Sequence, residues 1–381
     1  MFSRALIVLS SGYFFMFCAA GLQQLLIPYL VQATGRNSAE CSWILGSVYF
    51  SAMLWRALAS FTIARLGFYW SVVIGFIPYV GFPLVLLCSH NYWVALVAAF
   101  VWGWGAAAIW IAGPTNLLAA TDASQYGRAS GVFYACVHGG QMLGVYLLAW
   151  VNNHWGWNAW LWTAFALYAI GECIILRLPR TDQKIVPPAL GAVIEMYRHS
   201  RIILLAFILI VSSVGFGITL SAMTTYVEQT FRLGIVAYVA SGFYIGRLVC
   251  SLSGGWLCDR WGRAPVSVAG FAAAAIGMLA ASLVVNELVL FLASFALGGI
   301  IGLVPVSVTA MVGDSVPAEQ RHLAFGSIYL WGNFGVGAVI VFGQYIAKLT
   351  GNFRYCFAIF TMLYAACAVA MWGMGRRKDE G

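Results

Sequence analysis

Charge is what this sequence has least of. Asp, Glu, Lys and Arg together make up 8% of its 381 residues, whereas 62% are hydrophobic. So few charges cannot cover a water-facing surface of this size, which excludes a soluble globular protein and leaves lipid as the solvent. Weakly alternating segments of about ten residues are also missing, which excludes a transmembrane β-barrel. No Gly-Lys-Ser/Thr phosphate loop, zinc motif or catalytic-triad spacing occurs, and no soluble domain is present to hold one, so an enzyme is not expected. The nine cysteines are scattered singly, without metal-ligand or disulfide spacing. They read as small packing residues, and neither a cofactor nor a bound metal is expected.

What the chain has instead is a series of apolar stretches, each long enough to cross a hydrocarbon core of about 30 Å. Short polar punctuation such as Thr34-Gly35-Arg36-Asn37 or Asn152-Asn153-His154 separates them. Twelve are read, at about 5–33, 43–64, 68–89, 92–120, 127–151, 156–178, 201–230, 235–258, 265–285, 288–313, 323–349 and 353–375. The first continues through Gln23 and Gln24 to Val31, too long for a cleaved signal peptide. Arg4, Arg65, Arg128, Arg177, Arg180, Lys184, Arg198, Arg201, Arg260, Arg263, Arg321, Arg376, Arg377 and Lys378 fall on one side, against Arg36, Arg232, Lys348 and Arg354 on the other. That bias puts both termini in the cytoplasm and reads as a bacterial inner membrane protein. It also accounts for the net charge of +8, so no nucleic-acid partner is expected.

The stretch polar enough to join two domains is 179–200, and it divides the chain into six spans at 1–178 and six at 201–381. The halves carry matching punctuation. After the eighth span stands Gly255-Trp256-Leu257-Cys258-Asp259-Arg260-Trp261-Gly262-Arg263, and after the second Ser60-Phe61-Thr62-Ile63-Ala64-Arg65-Leu66-Gly67-Phe68. Asp122 through Arg128 to Tyr134 likewise resembles Asp314 through Arg321 to Tyr329. Two parallel repeats of six helices imply a rocking two-bundle carrier.

Gly255-x-Leu257-x-Asp259-Arg260-x-Gly262-Arg263 resembles the signature loop of the major facilitator superfamily, and the whole chain fits that family's plan. The resemblance implies an all-α membrane protein of two pseudo-symmetric six-helix bundles. It implies a gating role for Asp259, with Arg260, Arg263, Gly255 and Gly262, against the start of the fifth span near Arg128. A carboxylate at that positive helix end gains from the macrodipole. The first-half copy departs from the pattern, with Ala64 for the acid and Phe68 for the last Arg, so a one-sided lock is expected.

Ionisable side chains inside the membrane cost several kcal/mol, on the order of 2.5–3.5, and each needs a partner or a task. Arg56 in the second span and Arg247 in the eighth lie on corresponding helices, and Tyr49 and Tyr244 occupy identical repeat positions on the same faces. Tyr134, His138, Gln141 and Met142 follow helical spacing in the fifth span, with Tyr329 and Asn333 as counterparts in the eleventh. Gln23, Gln24, Trp110, Thr115, Asn116, Thr224, Thr225, Tyr226, Ser307 and Thr309 add polar or aromatic positions. The resemblance places the second, fifth, eighth and eleventh helices along a central cavity, and so collects these residues into a substrate pocket.

With no mid-span carboxylate opposite them, the two arginines point to an anionic solute, which the guanidinium fork suits. A bond to helix carbonyls or a buried water is the structural alternative for each. His138 is the proton-coupling candidate, against a neutral packing role, and His138-x-x-x-Met142 alone is too sparse for a copper site. Glu172 is expected to belong with Arg177 and the charges of the linker. The function read from the sequence is secondary active transport of a small, anionic solute by alternating access, by a protein expected to be monomeric. Export of amphipathic drugs or siderophore-like compounds is the alternative, weakened because Ala98-Ala99-Phe100-Val101-Trp102-Gly103 lacks the fourth-helix Arg of proton-coupled drug antiporters.

Overall fold

The computed structural model describes residues 3–119, 126–180, 191, 200–315 and 321–379. Within the helices, some positions lie outside the described side chains, among them Ala64, Thr115, Arg128, Gly255, Asp259, Thr309 and Tyr329. The chain forms two compact units, Met1–Pro187 and Pro188–Gly381. Most of the stretch read as a linker lies outside the described residues.

In the first unit the first span consists of a helix Arg4–Ala20, a 3-10 turn Gly21–Leu25 and a helix Leu26–Thr34. The second and third spans form one continuous element, Ser38–Cys88, that breaks direction at Gly67. Tyr92–Ala119 is the fourth span, and Tyr126–Ile175 holds the fifth and sixth on either side of Gly156. The second unit repeats the order with Ser200–Leu220 and Ala222–Thr230 as a divided seventh span, then Leu233–Trp261, Arg263–Leu283, Glu287–Ser315, Arg321–Thr350 and Phe353–Asp379.

Ten stretches of described residues are long and apolar enough to cross a membrane. One of them, the 44-residue Val132–Ile175, turns at Gly156 and contributes two spans. The second span, in the arm before Gly67, brings the total to the expected twelve.

The repeat is visible in backbone devices spaced by 195 residues. Gly67 and Gly262 take φ of 73° and 85°, and Gly156 and Gly351 take 77° and 72°. A Cβ is disfavoured at such left-handed angles, so these four turns between adjacent spans are held by glycine. Asn91 and Asn286, again 195 apart, accept the backbone N–H of Trp93 at 2.8 Å and of Leu288 at 2.9 Å, opening the fourth and tenth spans with the same cap.

Helix crossings repeat as well. A Cβ on Gly103 of the fourth span would overlap the Val48 carbonyl of the second, and one on Gly298 of the tenth would overlap the Phe243 carbonyl of the eighth. Between helices in lipid there is no hydrophobic drive to associate, so small residues that let backbones touch supply the packing. The first span packs on the fifth and sixth, and the seventh on the eleventh. Trp102, Trp160, Tyr13, Tyr168 and Phe76 fill the first unit, and Phe243, Tyr244, Phe271, Phe357 and Tyr364 the second. Trp93, Leu252, Ile276 and Met362 are exposed, as apolar side chains facing lipid should be.

Candidate functional site

Each unit interrupts its first helix, and each interruption gathers polar side chains. In the first unit the 3-10 turn Gly21–Leu25 ends at Leu25, with φ −109° and ψ 8°. A 3-10 turn rotates successive side chains differently from an α-helix and leaves carbonyls free of the regular ladder. Gln23 and Gln24 sit in this turn and are buried, and the Tyr49 hydroxyl of the second span donates to Gln23 Oε1 at 2.6 Å. The sequence put Tyr49 on one face with Arg56. The structure directs its hydroxyl across to the first span.

Beside this break runs a ladder of rings from three helices. Phe17 meets Trp110 edge-on at 5.2 Å, Trp110 stacks near-parallel on Tyr134 at 6.4 Å and 17°, and Tyr134 stacks on His138 at 6.1 Å and 26°. Tyr134 is 40% exposed, whereas His138 is 7% exposed and Gln141 is buried. Four of the sequence-predicted residues, Trp110, Tyr134, His138 and Gln141, are thus on or next to one surface. Asn116 is fully buried, and among the described residues neither its side-chain oxygen nor its nitrogen has a hydrogen-bond partner. Arg56 is half-buried, and its charge acts on the hydroxyl of Tyr79, a third-span residue packed edge-on against Trp102 and Tyr168.

In the second unit the break falls at Ser221, whose φ of −125° and ψ of −88° separate Ser200–Leu220 from Ala222–Thr230. Its hydroxyl donates to the Ile340 carbonyl of the eleventh span at 2.7 Å. Gln344, about three turns of helix beyond Asn333, sends Nε2 to Ser221 Oγ at 3.1 Å and to Thr225 Oγ1 at 2.7 Å, while its Oε1 is buried without a partner among the described residues. Thr224 Oγ1 closes the break by donating to the Thr219 carbonyl at 2.8 Å. Sequence reasoning missed Gln344, although a lone amide in the apolar run Val341-Phe342-Gly343-Gln344 was a signal of the kind that singled out Gln23.

Tyr244 is buried, and the charge of half-buried Arg247, one turn further on, acts on its hydroxyl. Asn333 is half-buried, with its Nδ2 enclosed and unbonded. Tyr226 does not join this group, because its ring packs on Phe357 at 5.4 Å and on Phe353 of the twelfth span. Ser307 is likewise occupied in packing, bonded to the Leu303 carbonyl at 3.2 Å and touching Cys258 Sγ at 3.2 Å.

Of the residues expected at the gate, Gly262 makes the left-handed turn after the eighth span. Arg260 lies over the Trp256 ring at 5.2 Å, and Arg263 is half-buried at the start of the ninth span. Asp259, Gly255, Arg128 and the substrate candidate Tyr329 lie outside the described side chains. Glu172 does not pair with Arg177. It is half-buried with Oε2 enclosed, whereas Arg177 is exposed, and the one ion pair among the described residues is Arg36–Glu40 at 3.1 Å.

The model of the Major Facilitator Superfamily matches residues 9–246 and again 205–381, one match reaching into each repeat. The chain belongs to the major facilitator superfamily. It is therefore a multi-pass membrane transporter and not an enzyme. Among curated proteins it is similar to human solute carrier family 2, facilitated glucose transporter member 12, at 26% identity over 134 residues, and equally to the Macaca fascicularis protein of that name. Those matches span 35% of this chain and 22% of the relatives' length. Among solved structures, the nucleoside transporter NupG superposes with a TM-score of 0.78 over 97% of this chain and 99% of that one. An auto inhibited POT family peptide transporter gives 0.76 over 98% and 97%. Both are 14% identical to this chain, so the superfamily fold is what they share with it.

Proposed function

We propose that this superfamily member is a secondary active carrier of a small organic anion, working by alternating access. The observation that carries the reading is a half-buried guanidinium within a span of each unit, Arg56 and Arg247, on the two helices that also bear the repeat-paired Tyr49 and Tyr244. A planar fork of donors in a medium of low dielectric recognises carboxylate or phosphate oxygens strongly. Helices broken at corresponding places in two repeats are the usual position of a carrier's solute site, and here they present Gln23 with Tyr49 and Ser221 with Gln344 and Thr225. The ring ladder Trp110, Tyr134 and His138 offers a flat surface to a planar part of the solute. Relatives named for glucose, nucleosides and peptides fit an organic solute with several hydrogen-bonding groups.

The Lys and Arg distribution supports cytoplasmic termini in a bacterial inner membrane, with the loop of Asp259, Arg260 and Arg263 on the cytoplasmic side as the gate. The test is counterflow in proteoliposomes with labelled mono- and dicarboxylates, inorganic anions and cationic dyes. Saturable exchange of a carboxylate is expected. Dye efflux with no anion exchange would replace this reading with export of amphipathic compounds.

A further inference from the structure

Glu172 has no task in the reading so far. It lies within the apolar run Val132–Ile175, and at about 1.5 Å per residue it sits about 8 Å along the helix from exposed Arg177. Tyr168, Gly171, Glu172 and Ile175 share one helical face, which packs on the first span: a Cβ on Gly171 would lie 2.9 Å from the Gly12 carbonyl. Tyr168 and Ile175 on that face are fully buried. Glu172 Oε2 is enclosed and accepts no hydrogen bond from the described residues.

Several titratable and charged groups stand on the elements around it. The first span carries Arg4, Tyr13 and Cys18, the turn after the second Arg65, the third Tyr69 and Tyr79, and the sixth itself Tyr168, Cys173 and Arg177. Tyr13 donates to the Ile109 carbonyl at 2.6 Å and Tyr69 to the Leu176 carbonyl at 3.1 Å, so both hydroxyls are spent elsewhere. Arg180 lies over the Tyr69 ring at 5.2 Å, and among the described residues no cation comes within ion-pair distance of the carboxyl.

An ionised carboxylate with one oxygen enclosed and undonated loses part of its hydration without compensation, so its environment favours the neutral acid. Half-burial of the residue leaves a path for the proton. We propose that Glu172 is a proton-binding site that couples solute movement to protons, an inference that rests on the chain being an anion carrier. One proton adds to the carboxylate, an O–H bond forms and the local charge goes from −1 to zero. Carrying that proton with a monovalent anion makes the step electroneutral. His138, the residue singled out by sequence for this task, stacks on Tyr134 in the ring ladder and is the competing candidate.

Infrared spectra of the purified protein at neutral pH test the site without any solute. A protonated-carboxyl band should be present in wild type and lost in Glu172→Gln. Its persistence in that variant, or its absence from wild type, overturns the proposal. In proteoliposomes, Glu172→Gln should lose accumulation driven by a pH gradient while keeping counterflow within about threefold of wild type. Glu172→Asp should recover part of the accumulation, and thermal unfolding checks that each variant is folded. Gradient-driven uptake that survives Glu172→Gln, or that is lost only in His138→Gln, also refutes it. A wild type that shows the infrared band but exchanges no anion would uphold the proton site and reject the anion reading.

Discussion

Truncating Arg247 is the sharpest test of how the solute is held. A Cβ on Gly298 would lie 2.9 Å from the Arg247 backbone nitrogen, and one on Gly302 2.8 Å from its carbonyl oxygen. The backbone of residue 247 is therefore wedged against the tenth span, so that Arg247→Ala removes a side chain without freeing the helix to move. A hydrogen bond to a charged group contributes about 1.5–3 kcal/mol, and a factor of ten corresponds to about 1.4 kcal/mol. Arg247→Ala should raise the KM for anion counterflow between about tenfold and about a hundredfold. Arg247→Lys keeps the charge but loses the fork, and should fall in between. Counterflow with a titrated external anion reads the change, with unfolding temperature in detergent as the control for folding. An unchanged KM in a folded Arg247→Ala protein would refute solute binding at this residue. A loss confined to the maximal rate would refute it too, placing Arg247 in the conformational step.

Two further substitutions test the fold around the site. Gly298→Ala drives a Cβ into the Phe243 carbonyl and should destabilise the second unit by about 1–3 kcal/mol, read as a lower unfolding temperature; Gly139→Ala, with nothing within 4 Å, should leave it unchanged. Gln344→Ala removes both bonds that span the break at Ser221. Interhelical hydrogen bonds in membranes average about 0.6 kcal/mol and reach about 1.7, so a loss of about 1–2 kcal/mol is expected, and equal melting would show that the bonds do not hold the break.

The spans and the repeat were legible because they depend on local properties. Apolar runs long enough to cross lipid and turns that need glycine leave marks within a few residues, and the pairing of Gly67 with Gly262 could be read directly. The helix break at Ser221 was not legible. Nothing in Leu220-Ser221-Ala222 signals an interruption, since neither Pro nor Gly stands at the break. It is held by Gln344, which is more than a hundred residues away. The partner of Tyr49 was missed for the same reason, because helical spacing shows which residues share a face but not what another helix presents to it. Glu172 was assigned to Arg177 by proximity in sequence, and the helix places the two on different sides.

The two repeats agree in architecture and differ in chemistry, and lipid explains both. Every backbone group must be satisfied internally within a span, so turns, caps and close crossings tolerate few alternatives and recur 195 residues apart. Side chains facing a polar interior are not bound in this way. Tyr49 and Tyr244 are paired, yet Arg56 falls opposite Ser251, Arg247 opposite Ala52 and His138 opposite Asn333. For the anionic solute proposed above, an exact duplicate would only repeat the same charge in each unit. The departures from symmetry are therefore where the specificity of this carrier should be sought, and Glu172, whose repeat position in the twelfth span is Cys367, is one of them.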